Sequence, residues 1–174
     1  MKYLFLLLVF FASACSDDSS SNSVSTENSE SSSSVIPNTS SDSIVWNKAN
    51  LTWYESYPDE GSEECIEYNG CMWAGYFAAL DGKQTKEWVE SHNIISVHEK
   101  DFETYKLKTL RLRKNGVEIE GVVYDKCADS DCDGCCTKNS ASTGFLIDIE
   151  SFTKARFNNY GVGIVEWYCV DCVN

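Results

Sequence analysis

Apolar and polar positions alternate most clearly over Thr109–Lys114 (TLRLRK), where Leu110 and Leu112 share one face and Arg111 and Arg113 the other. A period of two marks a half-buried strand. Asn115-Gly116 follows, and then a second run, Val117–Asp125 (VEIEGVVYD). Asn-Gly between such runs predicts a hairpin, because a type I′ turn needs positive φ at both central residues. Further strands are expected at Leu51–Tyr54 (LTWY), Ile94–Val97 and Gly163–Tyr168 (GIVEWY), which are rich in β-branched and aromatic residues. Met72–Leu80 (MWAGYFAAL) is mostly apolar and reads as a buried strand. Two short helices are expected. One is Gln84–Asn93, carrying Trp88 and Val89; the other is Ile149–Asn158, where Ile149, Phe152 and Phe157 fall on one side. The sum is a mainly-β domain. A small closed barrel would solve its edge problem, although the pattern alone does not choose a barrel over a sandwich.

The patterning is different toward the N-terminus. MKYLFLLLVFFASAC has one Lys and then an apolar run, about half of the roughly 20 residues that span a bilayer. Ala12, Ser13 and Ala14 precede Cys15, as in a secretory leader. The segment resembles the lipobox of bacterial lipoproteins, with Cys15 as the lipidated residue; Ala12 stands where that motif usually has Leu. The alternative is an ordinary leader cut after Ala14. Residues 16–46 are Ser-rich and acidic with few large apolar side chains, and are expected to be a disordered, hydrated linker. The expected organisation is therefore leader 1–15, linker 16–46 and domain 47–174. The lipoprotein resemblance implies a chain anchored by lipid at the outer membrane, touching the membrane only through that lipid. The acids soon after Cys15, Asp17 and Asp18, resemble surface-export signals of some bacterial groups and point to surface exposure, with the orientation across the envelope left open.

The formal charge is −13. No cationic stripe is available for phosphates, which argues against nucleic acid. An acidic surface is compatible with a neutral polysaccharide. A monomer without a cofactor is expected.

Cysteine usage agrees with export. Apart from Cys15 there are eight: Cys65, Cys71, Cys127, Cys132, Cys135, Cys136, Cys169 and Cys172. An even number in an exported domain reads as a disulfide framework. Cys65 with Cys71 is a plausible local closure; the other pairings stay open. Four of the eight lie in one short run, YDKCADSDCDGCCTKNS (Tyr124–Ser140). Three chemistries compete there. Zinc would take Cys132 and Cys135 with Cys169 and Cys172 as four thiolates, which export disfavours. Calcium would use Asp129, Asp131 and Asp133 before Gly134, but Ser140 stands where an EF-hand loop ends in a bidentate Glu. A disulfide-stapled loop is the preferred reading, with no metal.

Four pieces in order resemble the double-psi β-barrel of expansins, barwin-like proteins and family-45 endoglucanases. They are LTWY, similar to a Thr-x-Tyr strand; GYFAAL; VVYDKC, similar to a V-x-D-x-C strand end; and FLIDIESFTKARF followed by Gly and IVEW. The resemblance covers about Leu51–Tyr168 and implies a six-stranded double-psi barrel with short helices and a disulfide-rich loop. It implies a polysaccharide groove across one barrel face, with Asp148 opening the late helix as the acid-like residue, Asp125 nearby, and Thr52 and Tyr54 on the first strand. Trp53 and Trp73 are candidate sugar-stacking residues; Trp88 and Trp167 are expected in the core. Asp148 could instead cap its helix, and Asp125 could pin its own turn. Inverting glycosidases need a second carboxyl as base. Ser56 occupies the matching position, and Glu55 is one residue off, toward the other strand face. The resemblance then implies an expansin-like domain that binds or loosens plant cell-wall glucan or xylan without efficient hydrolysis. A glycosidase or lytic transglycosylase, or a protein-interaction barrel, are the alternatives. Peptidoglycan is the weaker substrate: the related RlpA-like transglycosylase-type barrels have Ala-Ala-His and Asp-Arg-Gly-Pro, where this chain has Ala78-Ala79-Leu80 and Asp125-Lys126-Cys127.

Overall fold

The computed structural model describes residues 44–172. The leader, Cys15 and the linker up to residue 43 lie outside the described residues. Six strands form the framework: β1 (Asn47–Tyr54), β2 (Ile94–His98), β3 (Thr109–Lys114), β4 (Val117–Cys127), β5 (Leu146–Glu150) and β6 (Gly163–Cys169). They close into a barrel in the order β1-β5-β2-β4-β3-β6. The pairs β1·β5 and β2·β4 are parallel; the other four are antiparallel. Closure leaves no unpaired edge, as expected for a small all-β domain.

Alternation along the strands fills the barrel. Ala49 and Leu51 of β1, Ile95 and Val97 of β2, Leu110 and Leu112 of β3, Val123 of β4, Ile147 and Ile149 of β5, and Val165 and Trp167 of β6 form one buried cluster with Phe157. Burying each large aliphatic side chain stabilises the fold by roughly 1.5–3 kcal/mol before entropy is charged. Arg111 and Arg113 point outward and donate to Glu120 and Glu166 on the neighbouring strands. The hairpin has the expected turn, with Asn115 at φ 50° and Gly116 at φ 80°.

Five short helices decorate the barrel: α1 (Glu63–Ile66), α2 (Lys86–Ser91), α3 (Glu99–Tyr105), α4 (Cys135–Ser140) and α5 (Ser151–Arg156). A second cluster lies outside the barrel, where Phe77, Val89 and Ile94 pack with Trp88, Tyr124 and Phe152. It fixes the chain between β1 and β2 onto the outer surface.

Two expectations are corrected. Met72–Leu80 forms turns rather than a strand, with Met72, Trp73 and Tyr76 exposed. Its aromatic residues gave it an apolar average, but only Phe77 and Gly75 are fully buried. The late helix also begins later than its pattern suggests. Asp148 and Ile149 belong to β5, and α5 starts at Ser151. Ile149 is apolar because it faces the barrel interior, so its apparent helical spacing with Phe152 is coincidental.

The eight cysteines pair as Cys65–Cys71, Cys127–Cys136, Cys132–Cys135 and Cys169–Cys172. Each CxxC closes on itself, so the four-thiolate zinc arrangement across the two CxxC pairs does not form. The sulfurs of Cys127, Cys132, Cys135 and Cys136 lie within 4.8 Å of one another, but a disulfide sulfur is not the thiolate that zinc requires.

Candidate functional site

Strand register builds the floor of the site. Thr52 of β1 pairs with Asp148 of β5, Asp148 with Ser96 of β2, and Ser96 with Asp125 of β4. The four residues form one row across four adjacent strands on the outer barrel face. Thr52 Oγ1 donates to Asp148 Oδ1 at 2.7 Å. Asp125 Oδ1 accepts from the backbone N–H of Ala78 at 3.1 Å and of Lys126 at 2.9 Å.

Asp125 reaches this row through a bulge. The register of β2 with β4 shifts between Ile95 and Ser96, so that Ile95 pairs with Val123 but Ser96 with Asp125. Val123 faces the barrel core and Tyr124 packs in the outer cluster. Strict alternation would turn Asp125 inward with Val123. The extra residue puts Tyr124 and Asp125 both on the outside, the re-aiming that bulges commonly provide beside functional sites.

Above the floor is an open cavity of about 710 Å³. It takes in Thr52, Tyr54, Asp125, Asp148, Trp53 and Trp73, the six residues singled out in the sequence. Two disulfide-tied loops form its walls. One carries Glu64, Tyr68, Trp73 and Tyr76; the other carries Asp131, Cys132, Cys135 and Asn139. Asn69 Nδ2 donates to the Asp131 carbonyl at 3.3 Å, joining the two loops. The second loop is tied down by Cys127–Cys136 and by Asp129, which accepts from Thr137 N at 2.9 Å and Thr137 Oγ1 at 2.6 Å. His98 supports it from β2, its Nε2 lying 3.0 Å from Thr137 Oγ1. Asp129 is thus committed to protein donors, and exposed Asp133 sits at the turn with φ 51°. Asp131 alone of the three proposed calcium ligands faces the cavity.

The cavity holds carboxyls in an environment that favours their neutral form. Burial pushes Asp148 up to about 7; the hydrogen bond from Thr52 opposes this, and the charges of Glu64 and Asp125 add to it. Burial also raises Asp125 to about 6 against its two backbone hydrogen bonds. Glu64 rises to about 7, through burial first and then through Glu55 and Glu63. Tyr54 is held well above the usual phenol range by burial and by the acids around it. The Tyr54 hydroxyl is buried beside Ser56 and Asp125, and its hydrogen bond to Asp125 further opposes the rise of that carboxyl.

The capping alternative for Asp148 does not apply here. Glu150 caps α5, accepting from Phe152 N at 2.6 Å. Trp53 is held under Lys154, whose Nζ lies 3.1 Å from its ring centroid, while Trp73 is 51 % exposed at the rim. Trp167 belongs to the core, and Trp88 stacks on His92 with centroids 3.9 Å apart. Glu64, Tyr68, Tyr76 and Ser96 were not singled out from the sequence. Ser96 sits in a short buried strand where only its polarity marks it. Glu64 had a weak signal, its place beside Cys65 in a loop that a local disulfide would hold.

Fold and site together define a mainly-β, disulfide-stapled closed barrel with an acid-lined groove across one face. No known family model matches the chain, and no curated protein matches it.

Proposed function

We propose that this chain is an expansin-like double-psi barrel that binds a neutral, β-linked cell-wall polysaccharide in the groove over β1, β5, β2 and β4. The observation that carries the reading is the Thr52–Asp148–Ser96–Asp125 row beneath a long open cavity with Trp73 and Tyr76 exposed at its side. Flat aromatic faces suit the C–H faces of sugar rings, and a row of hydroxyls and carboxyls suits their hydroxyls. The lining includes Glu55, Glu64, Asp125, Asp131 and Asp148 against one cation, Lys126. One cation among five acids offers an acidic polymer little to pair with, so glucan or xylan is preferred over an acidic chain. The lipobox-like leader supports a lipid-anchored, surface-exposed location, with the Ser-rich segment as tether.

A pull-down of the purified full chain on cellulose, xylan and peptidoglycan tests the reading. Retention on cellulose or xylan is expected, with Trp73→Ala weakening it. Absence of retention on all three overturns it.

A further inference from the structure

Four sulfurs meet in one loop of the groove wall. Cys127 ends β4, Cys132 and Cys135 bracket the turn at Asp133 and Gly134, and Cys136 lies in the first turn of α4. Both turn residues have positive φ, 51° and 77°, and Cys135 N donates to the Cys132 carbonyl at 3.2 Å. This folds Cys132-Asp133-Gly134-Cys135 into a tight knuckle that brings its two sulfurs together.

The two disulfides of the loop are in contact with each other. Cys136 Sγ lies 3.7 Å from Cys132 Sγ and 3.8 Å from Cys135 Sγ, although it is bonded to Cys127. All four sulfurs fall within 4.8 Å of one another. A tetrahedral zinc with Zn–S bonds of about 2.3 Å holds its sulfurs about 3.8 Å apart. Two edges of such a tetrahedron therefore already have the required length. The two bonded edges can open to it by side-chain rotation once the bonds are cut. Cys136 is fully buried and the other three are half-buried, the closed setting of a structural metal site with no open position.

The loop has a frame that does not depend on its disulfides. Thr137, next to Cys136, is held by Asp129 through its N–H and hydroxyl and lies against His98 Nε2. None of the four disulfides joins one barrel strand to another, so reduction leaves the strand ladders in place.

We propose that this loop is a redox-gated zinc site: reduced, Cys127, Cys132, Cys135 and Cys136 bind one zinc ion as four thiolates, and oxidised, the same sulfurs pair as two disulfides and release it. Each disulfide takes two electrons and two protons from a dithiol, which closes to its own disulfide. Zinc then displaces the four thiol protons as it binds. Two disulfides of an oxidant reverse the change, taking four electrons and freeing the metal. Either form ties the end of β4 to α4, so the wall of the groove is held in both states. The inference is independent of what the groove binds.

The test reduces the purified full chain with a phosphine, which becomes its oxide by taking oxygen from water, and then adds Co²⁺ followed by Zn²⁺. The reduced chain should show sulfur-to-cobalt charge transfer and tetrahedral d–d absorption at one cobalt per chain, both lost as zinc displaces it. Zinc should raise the melting temperature of the reduced chain and leave that of the unreduced chain unchanged. Cys132→Ser and Cys136→Ser should each lower zinc affinity about 100-fold or more, one ligand's share of a four-thiolate site. A chain in which Cys65, Cys71, Cys169 and Cys172 are all replaced by Ser should keep both the spectrum and the affinity. Absence of a tetrathiolate cobalt spectrum from the reduced chain overturns the proposal, whether or not circular dichroism shows the barrel folded. A spectrum unchanged in both Cys132→Ser and Cys136→Ser, or lost in the fourfold variant, overturns the assignment to this loop. The same spectrum in the unreduced chain overturns the redox gate.

Discussion

Asp125 and Asp148 flank Ser96 on neighbouring strands, so two carboxyls from distant parts of the chain share the floor of one groove. Both are pushed upward, chiefly by burial. The folded state therefore holds protons that the unfolded state releases between the usual aspartate range near 3.8 and about 7. Over that window the unfolded chain binds fewer protons, so stability falls as pH rises. The melting temperature is expected to fall from pH 5 to pH 8. Asp148→Asn, which keeps an acceptor for Thr52, should flatten the slope and raise stability at pH 8 by on the order of 1–3 kcal/mol. Thermal melts of the two proteins at both pH values check this; a steeper slope in the variant would contradict it.

Trp73 and Tyr76 stand at the groove with 51 % and 48 % of their surface exposed. Their truncation should leave the melting temperature within about 2 °C, since surface changes cost little. Affinity for the retained polysaccharide should fall roughly 5- to 30-fold per residue, about 1–2 kcal/mol, the range of an aromatic contact residue. Affinity electrophoresis in glucan gels measures it.

The Cys65–Cys71 disulfide closes a loop next to Glu64 that belongs to no barrel strand. Replacing both cysteines by Ser frees the loop more than the barrel. Faster proteolysis within residues 55–75 is expected, with weaker polysaccharide retention and a small change in barrel melting. Limited digestion followed by mass mapping distinguishes this from global unfolding, which would expose cut sites throughout.

Asp129 accepts from the Thr137 N–H and hydroxyl, and these bonds hold its carboxyl below the usual range. Asp129→Ala should loosen the loop from Ala128 to Ser140 and weaken retention through that wall. Because those oxygens are already engaged, millimolar calcium is expected to leave the melting curve of the unmodified chain unchanged. A calcium-dependent rise in melting temperature would reverse that assignment.

Phe157 is fully buried in the barrel core at the end of α5. Phe157→Ala should cost about 3–5 kcal/mol, through lost burial and the cavity left behind. Binding by the fraction that stays folded should be intact, since Phe157 does not line the groove. Urea denaturation gives the first quantity and retention corrected for folded fraction the second.

Local chemistry was enough to place much of the barrel. Leu110 and Leu112 alternate with arginines because one face is buried and the other wet, and Asn115-Gly116 permits the positive φ of the hairpin. An even set of cysteines behind a leader-like N-terminus implied cross-links, and Cys65–Cys71 forms as their spacing suggested. Where local pattern misled, long-range packing was the reason. Met72–Leu80 looked like a buried strand, yet Trp73 and Tyr76 stay at the cavity because no strand pairs with that segment. Ile149 and Phe152 looked like one helical face, yet one fills the barrel and the other packs outside it.

The sequence by itself determined the residue types available to the site: Thr52, Tyr54, Asp125 and Asp148 stand out as polar positions in or beside strands. It could not determine which of them meet. Period-two alternation would have sent Asp125 into the barrel with Val123, and only the bulge opposite Ser96 turns it outward. Nor does any spacing along the chain connect Glu64 with Asp148. Their shared cavity arises because a disulfide-closed loop after β1 lies over a row of residues set by the pairing of four strands, a contact made by chain closure in three dimensions rather than by neighbours in sequence.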